Sequence, residues 1–271
     1  MELVAASKMR RAVQSTIASR PFSGFIFETV RRIVRSLPSV THPLLVVPKE
    51  AEKTLLLVIA SDRGLAGGYN TNVLKRASQE IRSIGGTVEA ICIGKRAGDA
   101  MRRLEVPILA AFVNLTVSPT FADVRPVAKL ITKEFLTGKY KKVAIVYTDF
   151  VSALTQAPTT QLLLPLHPDL LGEGTGDSGQ VTAGEVETKL EPSPEVVLGT
   201  LLPRMVESAV FQAVLESSAS EHSSRMMAMK NASEAAGEMI DSLTFSYNQA
   251  RQAGITQEIA EISSGKAALE S

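Results

Sequence analysis

Apolar and small residues recur three and four positions apart in the C-terminal part of the chain, at Met226, Met229, Ala232, Ala236, Ile240, Leu243, Tyr247 and Ala250. That spacing is the seam of a coiled coil: one narrow stripe can pack, and the rest of the helix is small or polar. No proline falls between Arg204 and Ser271. One helix over that stretch would run on the order of 100 Å at about 1.5 Å per residue, longer than a small domain is wide. The pattern therefore predicts a slender rod, rather than the core helix of a globule, with its partners elsewhere. Composition and periodicity disagree between Glu216 and Ser224, where five serines and His222 give the character of a flexible linker.

The first segment, to about Arg35, also has helical spacing, with Leu3, Ala6, Met9 or Arg10, and Val13 on one edge and Pro21 expected to kink or break it. In the middle, apolar runs at 55–60, 88–93, 108–113, 143–147 and 162–164 read as strands, and helical spacing separates the earlier ones at 71–84, 95–104 and 121–136. Strand and helix in alternation predict a Rossmann-like α/β domain, its mostly parallel sheet covered by helices on its faces. Ser193 can cap the final helix, Pro194 suits its first turn and Glu195 complements its dipole. Pro203 is expected to interrupt the ladder, leaving the unbroken portion after it. The chain thus divides into an N-terminal helix and connector (1–47), an α/β domain (48–168), an acidic linker (169–192) and a long C-terminal helix (193–271).

With 271 residues, 45% of them hydrophobic, the chain can bury at least one full core. It has no apolar run near the length of a membrane span and no apolar signal core at its start. The single cysteine, Cys92, lies in an apolar run and reads as a small buried hydrophobe, so neither a disulfide nor a zinc site can be built. A net charge of +1 excludes a global argument for nucleic-acid or anionic-membrane binding. The charge is nevertheless uneven. Lys8, Arg10, Arg11, Arg20, Arg31, Arg32 and Arg35 dominate the first forty residues, whereas 169–195 is acidic, glycine-rich and reads as a solvated loop.

Ser61-Asp62-Arg63-Gly64-Leu65-Ala66-Gly67-Gly68-Tyr69-Asn70 follows a strand and precedes a helix, where glycine-rich loops cradle phosphates. Its glycines lack both the GxGxxG and the GxxxxGK[ST] spacing, and the second strand ends in Ile93-Gly94-Lys95 with no acid for a ribose. The alternative is a structural turn in which Gly67 and Gly68 supply unusual backbone angles while Asp62 and Arg63 hydrogen-bond locally. His42, His167 and His222 lie in separate segments, none at ligand or triad spacing, and His222 reads as a seam or surface residue. Glu258 and Glu261 share a helix face and read as solvated or docked on a basic partner. No catalytic, cofactor or metal site is predicted.

Taken together, Val4-Ala5-Ala6-Ser7-Lys8-Met9-Arg10-Arg11, the loop from Ser61 through Gly64 and Gly67-Gly68 to Asn72, and the tail Ala250-Arg251-Gln252-Ala253-Gly254-Ile255-Thr256-Gln257-Glu258-Ile259 resemble the gamma-subunit family of F-type ATP synthases over nearly the whole chain. The resemblance implies an antiparallel coiled coil of the two terminal helices with the α/β domain at its foot. It also implies a non-catalytic rotor shaft that couples proton flow through a membrane ring to ATP synthesis or hydrolysis. The implied partners are the alpha, beta and epsilon subunits and the c-ring, with no cofactor. Arg251, Gln252, Thr256 and Glu258 match the family's contacts to the catalytic subunits, and Lys8 and Arg10 fall on the opposing helix. Asp62, Arg63, Gly64, Gly67 and Gly68 form the structural loop. The implied location is peripheral, on the cytoplasmic face of a bacterial plasma membrane. The family's first helix continues roughly two dozen residues, about seven turns, before the position of Met1. Ala66 stands where a cysteine is common, and Lys266 where a small residue is expected. A coiled-coil scaffold and a nucleotide-binding α/β enzyme are the alternatives.

Overall fold

The computed structural model describes residues 2–36, 42–48, 51–166 and 193–269. The acidic stretch 169–192 and His167 lie outside them. Two units are distinguished, Met1–Met226 and Met227–Ser271.

The first unit is built on a five-stranded sheet in the order β3-β2-β1-β4-β5. β1 (Lys53–Ile59) is central, and its Leu55 through Ile59 are fully buried because both faces are covered. It pairs in parallel with β2 (Val88–Ile93) and with β4 (Tyr140–Phe150), and β2 pairs in parallel with β3 (Ile108–Phe112). Parallel neighbours need long crossovers, supplied by α2 (Tyr69–Ile84), α3 (Lys95–Arg103) and α4 (Phe121–Leu136). β5 (Gln156–Leu164) returns antiparallel to β4 and forms an edge. Its apolar run marks only the last three residues. The polar Gln156-Ala157-Pro158-Thr159-Thr160-Gln161 is a strand all the same, because an edge strand is partly solvated and tolerates Pro158.

Alternate residues of the strands feed two cores. Leu56, Val58, Ala90, Cys92 and Val146 lie beneath Val73 and Ala77 of α2 and Ala97 and Met101 of α3. On the opposite face, Leu55, Leu57, Ile91 and Ile145 meet Val124, Val127 and Ile131 of α4, and with them Val30 and Ile33 of α1 (Glu2–Ser36) and Leu198, Leu202, Met205 and Val206 of α5 (Pro194–Leu269). This corrects one expectation. The beginning of α5 is a core helix of the sheet domain, with a wide buried face, and not part of a slender rod.

α1 and α5 run antiparallel. Thr16 Oγ1 donates to Leu215 O at 3.1 Å, Ser19 Oγ to Gln212 Oε1 at 2.6 Å, and Ser23 Oγ lies 3.0 Å from Ser208 Oγ, so partners on α5 descend as α1 ascends. The expected breaks at proline do not occur. α1 continues through Pro21, whose ring faces solvent one turn from exposed Ile17, so water can reach the carbonyl left without a donor. α5 likewise continues through Pro203. Ser193 caps α5 as expected, its Oγ accepting from Val196 N at 3.4 Å.

In the second unit, α5 carries exposed side chains through Lys266, including Ile240, Leu243, Tyr247, Ile255, Ile259 and Ile262. Intrahelical contacts order it locally, among them Lys230–Glu234 at 3.8 Å and Gln257 donating to Glu261 at 2.9 Å.

Gly94 ends β2 with φ +90°, and a Cβ there would stand 2.0 Å from Ala60 O, whereas Gly85, at φ +60°, has open space. Gly94→Ala should therefore destabilise the chain by about 2–4 kcal/mol, and Gly85→Ala by only about 1–2 kcal/mol, in urea unfolding. Equal costs would show that the neighbouring backbone gives way.

Candidate functional site

The carboxyl ends of β1, β2, β3 and β4 meet at one crest, and the loop 61–68 is its centre. Ser61 is fully buried; its N–H donates to Asn70 Oδ1 at 3.1 Å and its hydroxyl to the Arg63 carbonyl. Asp62 does not hydrogen-bond locally. Its two oxygens accept from Lys95 N at 3.0 Å and Asn114 N at 2.8 Å, so one carboxylate ties the loop after β1 to the ends of β2 and β3. Gly67 has φ +53°, but Gly68 is in the ordinary helical region, and the other positive φ of the loop belongs to exposed Leu65. Gly68 is instead constrained by space, since a Cβ would lie 3.2 Å from Asn72 Nδ2.

Across this crest lies the serine-rich part of α5. Ser218 Oγ donates to Thr116 O at 2.6 Å and Ser220 Oγ to Thr148 O at 3.3 Å; Thr148 N donates to Ser217 Oγ at 3.5 Å. Arg225 pairs with Glu221 at 2.8 Å and donates to Gly64 O at 3.3 Å. The stretch that composition reads as a linker is thus buried helix, because its short hydroxyls let the helix approach and reach strand-end carbonyls. His222 is likewise neither seam nor surface. It is 3% exposed, and burial, with Arg225 nearby, lowers its pKa to about 4. Burial also raises the Glu221 carboxyl, against the pull of Arg225. Tyr69 faces Ser217 and Thr148 without a hydrogen bond of ordinary geometry, and burial pushes its hydroxyl well above the usual range. A polar cavity of about 120 Å³ opens beside it, lined by Tyr69, Asn72, Thr148, Gln156 and Ser224.

In an open α/β sheet, ligands bind outside the strand ends where the strand order reverses, here between β1 and β4. That crevice is occupied by α5 itself. Among the described residues no group of His, Cys, Asp or Glu could hold a metal.

The remaining predicted residues lie apart from the crest. Arg251, Gln252, Thr256 and Glu258 are exposed in the second unit, where Thr256 Oγ1 bonds Gln252 O at 2.9 Å and places those two on one face. Lys8 and Arg10 are exposed on α1, Lys8 close enough to His222 to oppose its protonation. Sequence reasoning missed Ser217, Ser218, Ser220, Glu221 and Arg225. The available signal was the helical spacing that continues on both sides of the serine run.

The fold and crest define an α/β domain whose ligand crevice is filled by one member of its own antiparallel helix pair. A family model described as ATP synthase matches residues 1–269. The ATP synthase gamma chain of Pelotomaculum thermopropionicum is 41% identical over all of this chain and 92% of that protein, and that of Heliobacterium modesticaldum is 39% identical over 99% and 92%. The chain belongs to the ATP synthase gamma-chain family. Among solved structures, the Tetrahymena thermophila mitochondrial ATP synthase central stalk and c-ring contains a chain matching with TM-score 0.64 at 25% identity, covering 86% of this chain and 97% of that one. The Euglena gracilis mitochondrial ATP synthase rotor shares the fold, with TM-score 0.54 at 17% identity over 94% of this chain and 98% of that one.

Asp62→Asn presents one amide N–H₂ to a backbone donor whichever way it turns. It should cost about 1–3 kcal/mol in urea unfolding and raise amide exchange at Lys95 and Asn114. Exchange unchanged at both amides would remove Asp62 from its role as the tie between strand ends.

Proposed function

We propose that the chain is the central rotor shaft of an F-type ATP synthase, coupling proton flow through the membrane ring to ATP synthesis or hydrolysis on the beta subunits, and that it is itself non-catalytic. The observation that carries this reading is the filled crevice: a domain of nucleotide-binding topology has committed its ligand position to anchoring a long helix. Such an anchor transmits force. An asymmetric helix pair turning among otherwise identical subunits makes different contacts with each, so each angle favours a different nucleotide state through differential interaction free energy. Alpha, beta and epsilon subunits and the c-ring are the partners. Among the described residues no helix is long and apolar enough to cross a membrane, in keeping with peripheral association. We place it on the cytoplasmic face of a bacterial plasma membrane. In this role 48–168 acts as the foot, with the beginning of 193–271 packed into its core, the rest of 193–271 and 1–47 act as the shaft, and 169–192 as an acidic linker.

Within that role Arg251, Gln252, Thr256 and Glu258 are the contacts to the catalytic subunits, with Lys8 and Arg10 as contacts on α1. Asp62, Arg63, Gly64, Gly67 and Gly68 hold the foot together. Arg251→Ala with Gln252→Ala in the assembled complex removes polar contacts worth roughly 1–3 kcal/mol where one is charged and buried. The complex should assemble and show reduced ATP synthesis or altered ATPase activity. Unchanged rates across a range of proton-motive force would withdraw these residues as working contacts.

The enzyme alternative makes the opposite prediction for the isolated chain. Calorimetry with Mg-ATP should give no stoichiometric isotherm at micromolar concentrations, since the loop lacks phosphate-loop spacing and α5 leaves only a cavity of about 120 Å³ at the strand ends. A magnesium-dependent isotherm would overturn the shaft reading as a complete account.

A further inference from the structure

Three elements meet through one guanidinium at the end of β4. Arg20 of α1 has Nε 3.4 Å from Glu216 Oε1 on α5 and Nη2 3.9 Å from Asp149 Oδ1 on β4, and Nη2 also donates to Phe150 O at 2.7 Å. Gln212, one turn back on α5, donates to Glu216 Oε1 at 2.7 Å. The Asp149 and Glu216 carboxyls thus face the same guanidinium. Tyr147 of β4 is near enough to feel both acids, and burial raises its hydroxyl far above neutral pH, so it adds no charge. The titratable and charged groups facing Glu216 are therefore Arg20 from α1 and Asp149 and Tyr147 from β4, with neutral Gln212 on its own helix.

Two ionised carboxylates against one cation would leave a net negative charge at a junction where the Glu216 side chain is only 9% exposed. Like charges in a shared site do not both ionise readily, and an uncompensated buried charge is costly. Burial first, and then Asp149, push the Glu216 carboxyl up to about 7 against the opposing pull of Gln212 and Arg20.

We propose that Glu216 keeps its proton in the closed junction, and that its release loosens the attachment of the α1–α5 pair to the end of β4. With the proton in place, Glu216 is neutral and still accepts from Gln212, while Arg20 balances the charge of the Asp149 carboxylate. When the proton leaves to water, the excess charge is relieved by separating Glu216 from Asp149 and letting one carboxylate hydrate. The junction is then a pH-sensitive joint between the helix pair and the sheet. Resting on the shaft reading, it makes the compliance of the torque path depend on the pH of the surrounding phase.

The direction follows from proton linkage. The acid's folded pKa is raised, so between its unfolded value near 4.5 and its folded value near 7 the closed state holds more protons than the open one. Opening therefore grows easier as pH rises, by up to about tenfold per pH unit within that window, and levels off above it. Hydrogen exchange on the full chain between pH 5 and 8, corrected for intrinsic rates, reads this at amides 147–150 and 212–219 whether or not the chain serves as a rotor. The parent should lose at least about tenfold in protection from pH 5 to 7 and little more above 7.5. Glu216→Gln, which keeps the shape and removes the titration, should flatten the profile. Asp149→Asn, which removes the repulsion and leaves the burial, should make it somewhat shallower. Parent-like slopes in both variants, or equal parent protection at pH 5 and 7, overturn the proposal. Should Glu216→Gln fail to fold, carboxyl carbon NMR of the parent decides: titration of Glu216 near neutral sustains the retained proton, and titration in the ordinary carboxylate range overturns it.

Discussion

The burial of a polar length of helix across the strand ends is the constraint on which the rest of the structure depends. Ser217, Ser218 and Ser220 of α5 are all almost without solvent exposure, and a buried hydroxyl is costly unless a partner is within reach. The partners are fixed points of the sheet: Thr116 O beyond β3, and Thr148 N and O on β4. Apolar packing alone sets which side of a helix faces a sheet, but it leaves sliding along the axis weakly opposed. Directed bonds to β4 and to the loop after β3 set the axial position as well. α1 then takes its place from α5, since Thr16, Ser19 and Ser23 bond to it in antiparallel order.

Electrostatics adds specificity more than stability. Buried Glu207 lies between Arg125 and Arg204, each at 3.2 Å, which links α4 to α5. Glu89 accepts from Lys53 and the Tyr140 hydroxyl, both at 2.6 Å, stitching β2 to β1 and to β4 beyond it and holding its carboxyl below the usual range, the Lys53 bond foremost. Such pairs recover much of what desolvation removes and contribute little beyond it, yet breaking one strands a charge. They therefore penalise wrong registers. The Arg20 junction differs in kind, because two acids face one base, and its charge balance depends on a proton.

The sheet was legible wherever burial is two-sided. Residues 88–93 and 121–136 form the elements their patterns predict, and the central runs of β1 and β4 stand out because strands covered on both faces are continuously apolar. What was not legible is where composition and context part. The serine run has weak helix propensity and no apolar face, so nothing local in it signals burial; only the matching hydroxyl acceptors on distant strands do. The prolines show the same limit, since both lie inside helices that the surrounding packing keeps continuous. Asp62 was legible as a residue of interest, but the N–H groups it accepts from are 33 and 52 residues away. Of the proposed interface, the exposure of Arg251 and its neighbours follows from their polar surroundings. A contact surface, however, is defined by a partner's shape as much as by its own residues.

The filled crevice also explains how a ligand-binding topology serves a mechanical end. The carboxyl ends of parallel strands expose backbone groups and loop N–H donors that are not used within the sheet, which is why small molecules bind there. Here the same unused groups accept serine hydroxyls and the Arg225 guanidinium. A small ligand could leave. A helix joined covalently to the domain, and packed along its earlier turns into the second core of the sheet through Leu198, Leu202, Met205 and Val206, is held at two separated places by two kinds of interaction. Bending or twisting it at either place must disturb the other, so load applied along α5 is carried into the whole sheet rather than into one hinge. The reuse of the crevice thus converts a recognition surface into a rigid mounting, and its one proton-dependent contact, at Arg20, lies where that mounting meets the second helix.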